Sequence, residues 1–252
     1  MQTIIAVVNQ KGGVGKTTST VNIAAHLASE QKPVLIIDLD PQGNASSGLG
    51  IDKDAISQGT YEVLCHGAPL HDAVVPTNTP GLYVLPANPN LAGAEVELVA
   101  AERREFKLQM ALAHASYSYI FIDCPPSLSL LTINGLTAAN SVLIPVQAEY
   151  YALEGLGQLL NTIQRVKETI NPPLDLLGVA ITMYDRRNSL SEQVLKEVQT
   201  HFGAKVFKST IPRNVRLAEA PSYGQTIYEH DSWSKGARAY KNLAKEVIKR
   251  TT

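Results

Sequence analysis

Residues 8–18 read Val-Asn-Gln-Lys-Gly-Gly-Val-Gly-Lys-Thr-Thr, and this stretch decides the fold. Phosphate-binding P-loops follow the pattern G-x-x-x-x-G-K-[ST], in which backbone N–H groups wrap the phosphates and the lysine reaches the terminal ones. The second half of the pattern is present at residues 15–17. The first glycine is replaced by Gln10, and a second lysine, Lys11, follows it. The stretch therefore predicts a phosphate-binding loop in which one glycine is replaced and one cation is added.

The flanking residues support a nucleotide-binding loop. An apolar run at 4–8 predicts a buried strand before it, and the apolar positions of 17–28 predict a helix after it. A strand, a glycine-rich turn and a helix N-terminus together form a phosphate site. The alternative is a glycine-rich turn without a ligand, which the four matched positions disfavour. The residues expected to contact the nucleotide are Lys11, Gly12, Gly13, Val14, Gly15, Lys16, Thr17 and Thr18.

The composition predicts one domain over residues 1–252. With 44% hydrophobic residues, the chain can bury one large core. The first predicted strand starts near Thr3 and no apolar run reaches about 18 residues, so we expect neither a signal peptide nor a membrane span. The cysteines, Cys65 and Cys124, fit a reducing compartment. These features favour a soluble, cytoplasmic protein.

Charge is divided unevenly along the chain. Residues 1–159 contain 7 Lys and Arg against 14 Asp and Glu, whereas residues 160–252 contain 15 against 9. The net charge is therefore -7 in the first part and +6 in the second. Such a division indicates a face that meets a polyanion, although a solvated helix surface would give the same count.

Apolar runs bounded by turn residues predict further strands, and amphipathic segments between them predict helices. The predicted strands are 34–37, 82–85, 119–122, 141–146, 176–182 and 205–211. The predicted helices are 91–115, 127–138, 153–170, 191–202 and 234–249. This alternation is typical of a mostly parallel, twisted sheet flanked by helices on both faces. The expected fold class is a single-domain α/β P-loop NTPase.

Acidic residues follow two of the predicted strands, at the edge where such sheets bind ligands. Asp38 and Asp40 follow one strand, and Asp123 follows another. An apolar run that ends in Asp is the pattern in which a carboxylate holds Mg²⁺. We expect Asp123 to serve the metal with Thr17, and one of Asp38 and Asp40 to support the metal's waters while the other faces the γ-phosphate. The alternatives are a helix cap at Asp123 and two turn-forming aspartates.

Five segments, in this order, resemble the ParA family of chromosome- and plasmid-partitioning ATPases. They are KGGVGKTT, DLDPQGNAS, FIDCPPS, PVQAEYYALEGL and IPRNVRLAEAPS. The pattern is most similar to the small chromosomal type called Soj and runs from residue 3 to residue 248. The resemblance implies an ATPase that uses ATP and Mg²⁺ and forms a homodimer when ATP is bound.

The resemblance also implies roles for individual residues. Lys11 would contact phosphates across the dimer, and Lys16 would bind them within its own subunit. Asp40 would position the hydrolytic water. The implied magnesium residues are Thr17, Asp38 and Asp123. Pro212 and Asn214 match family positions near the adenine.

The implied partners are DNA, bound without sequence preference by the ATP-bound dimer, and ParB, a centromere-binding protein that stimulates hydrolysis and release. Arg187 and Arg216 match family positions implicated in DNA contact. Arg186, Lys235 and Arg238 would extend this basic patch, although each can also be a solvated charge. We accordingly expect a cytoplasmic protein associated with the nucleoid.

Two other classes share this scaffold. A MinD-like ATPase that acts at a membrane would need an amphipathic C-terminal helix, and residues 240–250 offer few bulky apolar side chains for one. A metabolic ATP-dependent enzyme would need its own substrate pocket or, in a reductase, cysteine pairs around an iron–sulfur cluster. The placement of Cys65 and Cys124 fits such a cluster poorly.

Overall fold

The computed structural model describes residues 2–28, 32–149 and 155–252. Within these residues, strands form one seven-stranded sheet in the order β3-β4-β2-β5-β1-β6-β7. The strands are β1 (Thr3–Val7), β2 (Val34–Asp38), β3 (Val75–Pro76), β4 (Leu82–Leu85), β5 (Tyr119–Asp123), β6 (Ser141–Gln147) and β7 (Asp175–Thr182). All neighbouring pairs are parallel except β3 with β4. The predicted α/β class is confirmed.

Helices cover both faces of the sheet. They are α1 (Lys16–Ala28), α2 (Asn44–Gly48), α3 (Thr60–Cys65), α4 (Leu70–Ala73), α5 (Leu91–Glu97), α6 (Lys107–Ala111), α7 (Leu130–Ala138), α8 (Leu156–Thr169), α9 (Ser189–Phe202), α10 (Val215–Glu219), α11 (Ile227–Asp231) and α12 (Lys235–Thr251). One apolar core lies under α1 and α12, and a second lies under α3 and α5 to α9. Burial on both faces explains why the central strands are apolar along their whole length.

The register of the sheet positions the predicted site. Asp38, the last residue of β2, is the direct partner of Asp123, the last residue of β5. Asp123 in turn is the partner of Val7, after which the chain enters the P-loop. Three segments that are far apart in sequence therefore end in one row at the carboxyl edge of the sheet.

Two predicted elements are wrong. The helix expected over 91–115 is divided into α5, 3₁₀ turns at Leu98–Ala100 and Arg104–Phe106, and α6. Arg103 has a left-handed backbone (φ 51°), which no continuous α-helix accepts. The strand expected over 205–211 is reduced to one isolated bridge to β7, between Val206 and Val179, because the Glu246 carboxylate accepts the N–H groups of Lys208 and Ser209 at 2.8 Å each.

The other predicted boundaries differ less. The helix expected from residue 127 starts at Leu130, and the start expected at residue 153 lies outside the described residues. The short edge strand β3 and the short helices α2 to α4, α10 and α11 were not predicted, because segments of two to six residues carry no clear hydrophobic period.

Gly178 in β7 offers a test of the packing. A Cβ atom at this position would lie 2.6 Å from the backbone oxygen of Lys205 and 2.7 Å from the Phe207 ring. We expect Gly178→Ala to lower the free energy of unfolding by about 1–3 kcal/mol, measured by urea denaturation. Gly157→Ala is the control, because nothing lies within 4 Å of its Cβ position in helix α8. An equal loss in both variants would contradict the close approach at Gly178.

Candidate nucleotide site and basic groove

The P-loop joins β1 to α1 and leaves open space in front of its glycines. Gly13 and Gly15 have φ values of 72° and 85°, a left-handed region that favours glycine. Nothing lies within 4 Å of a Cβ atom built at Gly12 or Gly13. The loop therefore has both the backbone shape and the room that a bound phosphate chain requires.

Side chains from outside the motif fix the shape of the loop. Asn9 accepts a hydrogen bond from the Lys11 N–H at 3.0 Å and donates one to the Pro145 carbonyl at 2.7 Å. Thr182, at the end of β7, donates to the Val14 carbonyl at 2.8 Å. The loop is thus anchored to β6 and β7 before any ligand arrives, which lowers the entropy cost of binding.

Lys16 lies in the curve of this loop. Its side chain is buried, and Nζ donates to the Lys11 carbonyl at 3.2 Å. Burial lowers the pKa of Lys16, and the nearby carboxylates Asp123 and Asp40 act in the opposite direction. The lysine is therefore held among negative charges at the point where the P-loop meets helix α1.

Asp123 is bound by two hydroxyl groups of helix α1. Thr17 donates to Oδ2 at 2.7 Å, and Thr20 donates to Oδ1 at 3.2 Å. Burial, followed by repulsion from Asp38, raises the pKa of Asp123 to about 8. Such a carboxylate is stabilised in its charged form by any cation that approaches it.

Asp38 organises the turn that follows β2. Ser46 donates to its Oδ2 through both the backbone N–H, at 2.8 Å, and the hydroxyl, at 2.7 Å. The Asp40 N–H donates to its Oδ1 at 3.2 Å. Burial raises the pKa of Asp38 to about 6. Its many internal contacts suit a supporting role, and Asp40, two residues further along the chain, is also buried.

The donor set fits Mg²⁺. Thr17 and the carboxylates supply oxygen atoms, which this cation prefers, and the carboxylates repel one another in its absence. Among the described residues, no group of three or more His, Cys, Asp or Glu side chains is arranged to hold a metal by itself. Proteins usually hold Mg²⁺ with few side chains together with water and phosphate oxygens.

The extra lysine, Lys11, forms an ion pair within its own chain. Its Nζ lies 3.8 Å from Oε2 of Glu149, and the side chain is 42% exposed. Arg213 lies 3.2 Å from the other carboxylate oxygen of Glu149. Glu149 therefore joins the P-loop lysine to an arginine at the surface. The rest of the AEYYALE segment, residues 150–154, lies outside the described residues.

That arginine lines a groove of 1160 Å³ on the surface beside β7 and α12. The basic side chains of the groove are Arg186, Arg187, Lys208, Arg213, Lys235 and Arg238. Asp185 is the acidic residue among the described lining residues, and Arg187 binds it through Nε at 3.1 Å and Nη2 at 3.0 Å. These hydrogen bonds lower the pKa of Asp185 to about 2. The groove thus carries a large excess of positive charge.

Four of the residues that were expected to contact DNA line this groove. They are Arg186, Arg187, Lys235 and Arg238. Arg216 does not line the groove; its guanidinium lies 2.9 Å from Glu219 and 3.7 Å from Asp231. Pro212 and Asn214, expected near the adenine, line the same groove, and the Asn214 side chain caps α10 by accepting the Leu217 N–H at 3.3 Å.

Comparisons with known proteins identify the family. A family model described as an AAA domain matches residues 2–176. The chain is 52% identical to the chromosome partitioning protein ParA of Caulobacter vibrioides over 98% of this chain and 94% of that protein. It is 53% identical to the chromosome-partitioning ATPase Soj of Thermus thermophilus, over 98% and 95%. The chain belongs to the ParA/Soj family of chromosome-partitioning ATPases.

A solved structure shares the fold of this ParA/Soj chain. Cobyrinic acid a,c-diamide synthase from Mycobacterium smegmatis, with a bound ATP analog and magnesium, superimposes with a TM-score of 0.88 at 40% identity. The match covers 100% of this chain and 96% of that one. Within the described part of the ParA/Soj chain, no helix is both long and apolar enough to cross a membrane.

The sequence motifs of this ParA/Soj chain do not indicate the residues that support the site. Asn9 and Glu149 stand inside the quoted segments, but the motifs give them no role. Ser46, Thr20 and Thr182 are single hydroxyl residues whose contacts depend on tertiary structure. Thr20 follows Thr17 by three residues and Lys16 by four, so it lies on the same face of helix α1 as both. This spacing was the sequence signal that could have pointed to Thr20.

Ser46 provides a test of this support. Because Ser46→Ala removes a hydroxyl hydrogen bond to the buried Asp38 carboxylate, we expect the free energy of unfolding to fall by about 1–3 kcal/mol in urea denaturation. Ser47→Ala is the control, since the exposed Ser47 hydroxyl contacts only the Gly43 carbonyl among described residues. Similar small losses in both variants would contradict the importance of the Ser46–Asp38 contact.

Proposed function

We propose that this chain hydrolyses ATP with Mg²⁺, dimerises when ATP is bound and binds DNA without sequence preference as that dimer. The observation that carries the proposal is the row of buried groups at the carboxyl edge of the sheet, where Thr17 contacts Asp123 at 2.7 Å beside Asp38 and Lys16. The ATP analog and magnesium in the 40% identical mycobacterial structure support the choice of ligands.

The proposed phosphate site uses the P-loop from Lys11 to Thr18. Backbone N–H groups and Lys16 would bind the phosphates, and Thr17 would hold Mg²⁺ with Asp123 and Asp38 behind it. Bound Mg²⁺ would neutralise charge that develops on the phosphate oxygens. The depressed pKa of Lys16 and the raised pKa values of the aspartates are the consequences of burial that such a charged ligand would offset.

Asp40 is the proposed group that orients the attacking water. It follows the fixed carboxylate of Asp38, and its Oδ1 accepts the Gln42 N–H at 3.0 Å, so the turn holds its orientation. Its charge acts to raise the pKa of Lys16, which supports a position near the proposed phosphate site. Positioning of this kind provides most of the catalysis in phosphoryl transfer.

Lys11 is the proposed link between nucleotide and dimer. Its ion pair with Glu149 is half-exposed, and such pairs contribute only about 0–1 kcal/mol. A phosphate of the nucleotide in a partner subunit can therefore replace Glu149 at low cost. The exchange would also change the environment of Arg213, which shares Glu149 and lines the basic groove.

The basic groove is the proposed DNA surface. Lys and Arg side chains on phosphates give binding without sequence preference, and affinity rises steeply with the number of phosphates contacted. A two-fold dimer presents the groove twice, so dimerisation would strengthen DNA binding without any new residue. Hydrolysis, stimulated by DNA and a ParB-type partner, would return the chain to the weakly binding monomer and release it from the nucleoid.

The rival functions receive unequal support. The synthase name of the mycobacterial structure favours a metabolic enzyme as the second candidate, and stimulation of ATP hydrolysis by DNA would argue against it. Membrane attachment through the C-terminal helix is disfavoured because Leu243 and Val247 of α12 are buried in the domain.

Asp40→Ala tests the catalytic assignment. We expect ATP-dependent dimerisation and DNA binding to persist while turnover, measured by phosphate release, falls about 10²-fold or more. Lys16→Ala should instead lose the response to ATP altogether. Asp54→Ala is the control, since Asp54 is an exposed acid in the same region. Rapid hydrolysis by the Asp40 variant would remove Asp40 from the mechanism.

Arg238→Ala tests the DNA surface. Arg187 already binds Asp185, so Arg238 is the simpler probe. Loss of one phosphate contact per subunit should lower the slope of log K against log salt by about 2 per dimer. Lys167→Ala, which removes a half-exposed lysine outside the groove that pairs with Asp175, should leave the slope unchanged. The opposite pattern would place the DNA surface elsewhere.

A further inference from the structure

Trp233, the one tryptophan of the chain, lies almost completely in solvent. Its side chain is 87% exposed, more than Val215 at 71% or Tyr223 at 68%. Tryptophan has a large amphipathic surface and is enriched at interfaces, so a well-exposed one is a candidate contact residue.

The exposure of Trp233 does not come from a loose chain end. The backbone N–H of Trp233 donates to the Asp231 carboxylate at 3.1 Å, and the backbone N–H of Ser234 donates to the Asp231 carbonyl at 3.2 Å. The Ser234 hydroxyl then caps α12 by accepting the Ala237 N–H at 3.0 Å. The backbone on both sides is fixed, and the turn presents the indole outward.

Trp233 lies close along the chain to residues that line the basic groove. Lys235, two residues further along, and Arg238, on the next turn of α12, both line the groove, as does the exposed Val215 at the start of α10. The helices α10 and α12 are in close contact, since a Cβ atom at Gly236 would lie 2.6 Å from Cγ of Leu217. Exposed apolar side chains thus adjoin positive charge at this end of the groove.

This combination of charge and apolar surface fits DNA. Phosphates would meet the Lys and Arg side chains, while deoxyribose rings and the thymine methyl groups at base edges offer apolar surface to an indole. An anionic membrane would need several bulky apolar side chains on one helix face, and those of α12 are turned into the domain core.

We propose that Trp233 contacts double-stranded DNA, with its indole packed against the sugars and base edges of the segment whose phosphates lie on the groove. The inference rests on the proposed DNA binding and extends it, because a purely basic surface would bind through charge alone. The contact gives the dimer a component of affinity that salt does not screen.

Fluorescence of the single tryptophan tests this directly. The full chain with ATP and Mg²⁺ is titrated with a labelled duplex, and indole emission and label anisotropy are followed together. We expect the emission to be quenched or shifted, with saturation at the same DNA concentration as the anisotropy. Unchanged emission alongside saturating anisotropy would overturn the contact. A flat anisotropy would overturn the proposed DNA binding itself, and the contact with it.

Substitutions distinguish the contribution of the indole to DNA affinity from the contribution of the basic side chains. Trp233→Ala should weaken DNA binding about five- to tenfold at every salt concentration, with the slope of log K against log salt unchanged, whereas Arg238→Ala changes the slope. Trp233→Phe should retain part of the affinity. The control Val96→Ala, which alters another exposed apolar residue, should bind as the original chain does.

The same variants distinguish DNA from a protein partner or a membrane as the binding partner of Trp233. Wild-type DNA affinity in Trp233→Ala would overturn the proposal, and loss of partner-stimulated hydrolysis in that variant would then assign Trp233 to a protein partner. An emission shift with anionic lipid vesicles but none with DNA would assign it to a membrane. Circular dichroism of each variant checks that the fold is retained, as expected for so exposed a side chain.

Discussion

The repulsion between buried carboxylates is the constraint on which the rest of the structure depends. The parallel register makes Asp38 and Asp123 neighbours at the ends of β2 and β5, both fully buried. Burial disfavours their charged forms, and only hydroxyl and backbone donors, together with Lys16, oppose that effect. The P-loop places its open glycines beside this row. A site with surplus buried negative charge and a nearby phosphate cradle is prepared for a cation that arrives together with a nucleotide.

The same edge of the sheet connects to the surface through Glu149. This carboxylate lies between Lys11 of the P-loop and Arg213 of the basic groove. One acidic side chain therefore connects the P-loop to the proposed DNA surface. A lysine that exchanges Glu149 for a phosphate would alter both regions at once, and the weakness of half-exposed ion pairs makes that exchange energetically easy. This position explains how the extra lysine of the deviant loop would link the nucleotide site to the basic groove.

Sequence reasoning predicted the sheet and most long helices well, because burial on both faces makes the strands continuously apolar and the helices periodic. It also placed Lys16, Thr17, Asp38 and Asp123 at one edge, since motif spacing and strand ends determine them. It failed at Arg103, whose left-handed backbone interrupts the predicted helix, and at the segment held by Glu246, where a tertiary contact overrides the local pattern. It could not find Thr182, whose partner Val14 lies in a distant segment, or Ser46, whose contact with Asp38 depends on the fold of the turn after β2. Arg216, assigned by resemblance to the DNA patch, is engaged by Glu219 and Asp231 outside the groove.

The central claim is that ATP couples dimerisation to DNA binding. The most direct measurement compares molecular mass in solution and affinity for duplex DNA with ATP, with ADP and without nucleotide, each in the presence of Mg²⁺. The account predicts that doubled mass and tight DNA binding appear together, and with ATP alone. Equal DNA affinity in all three states, or tight binding by a species with the mass of one chain, would contradict it.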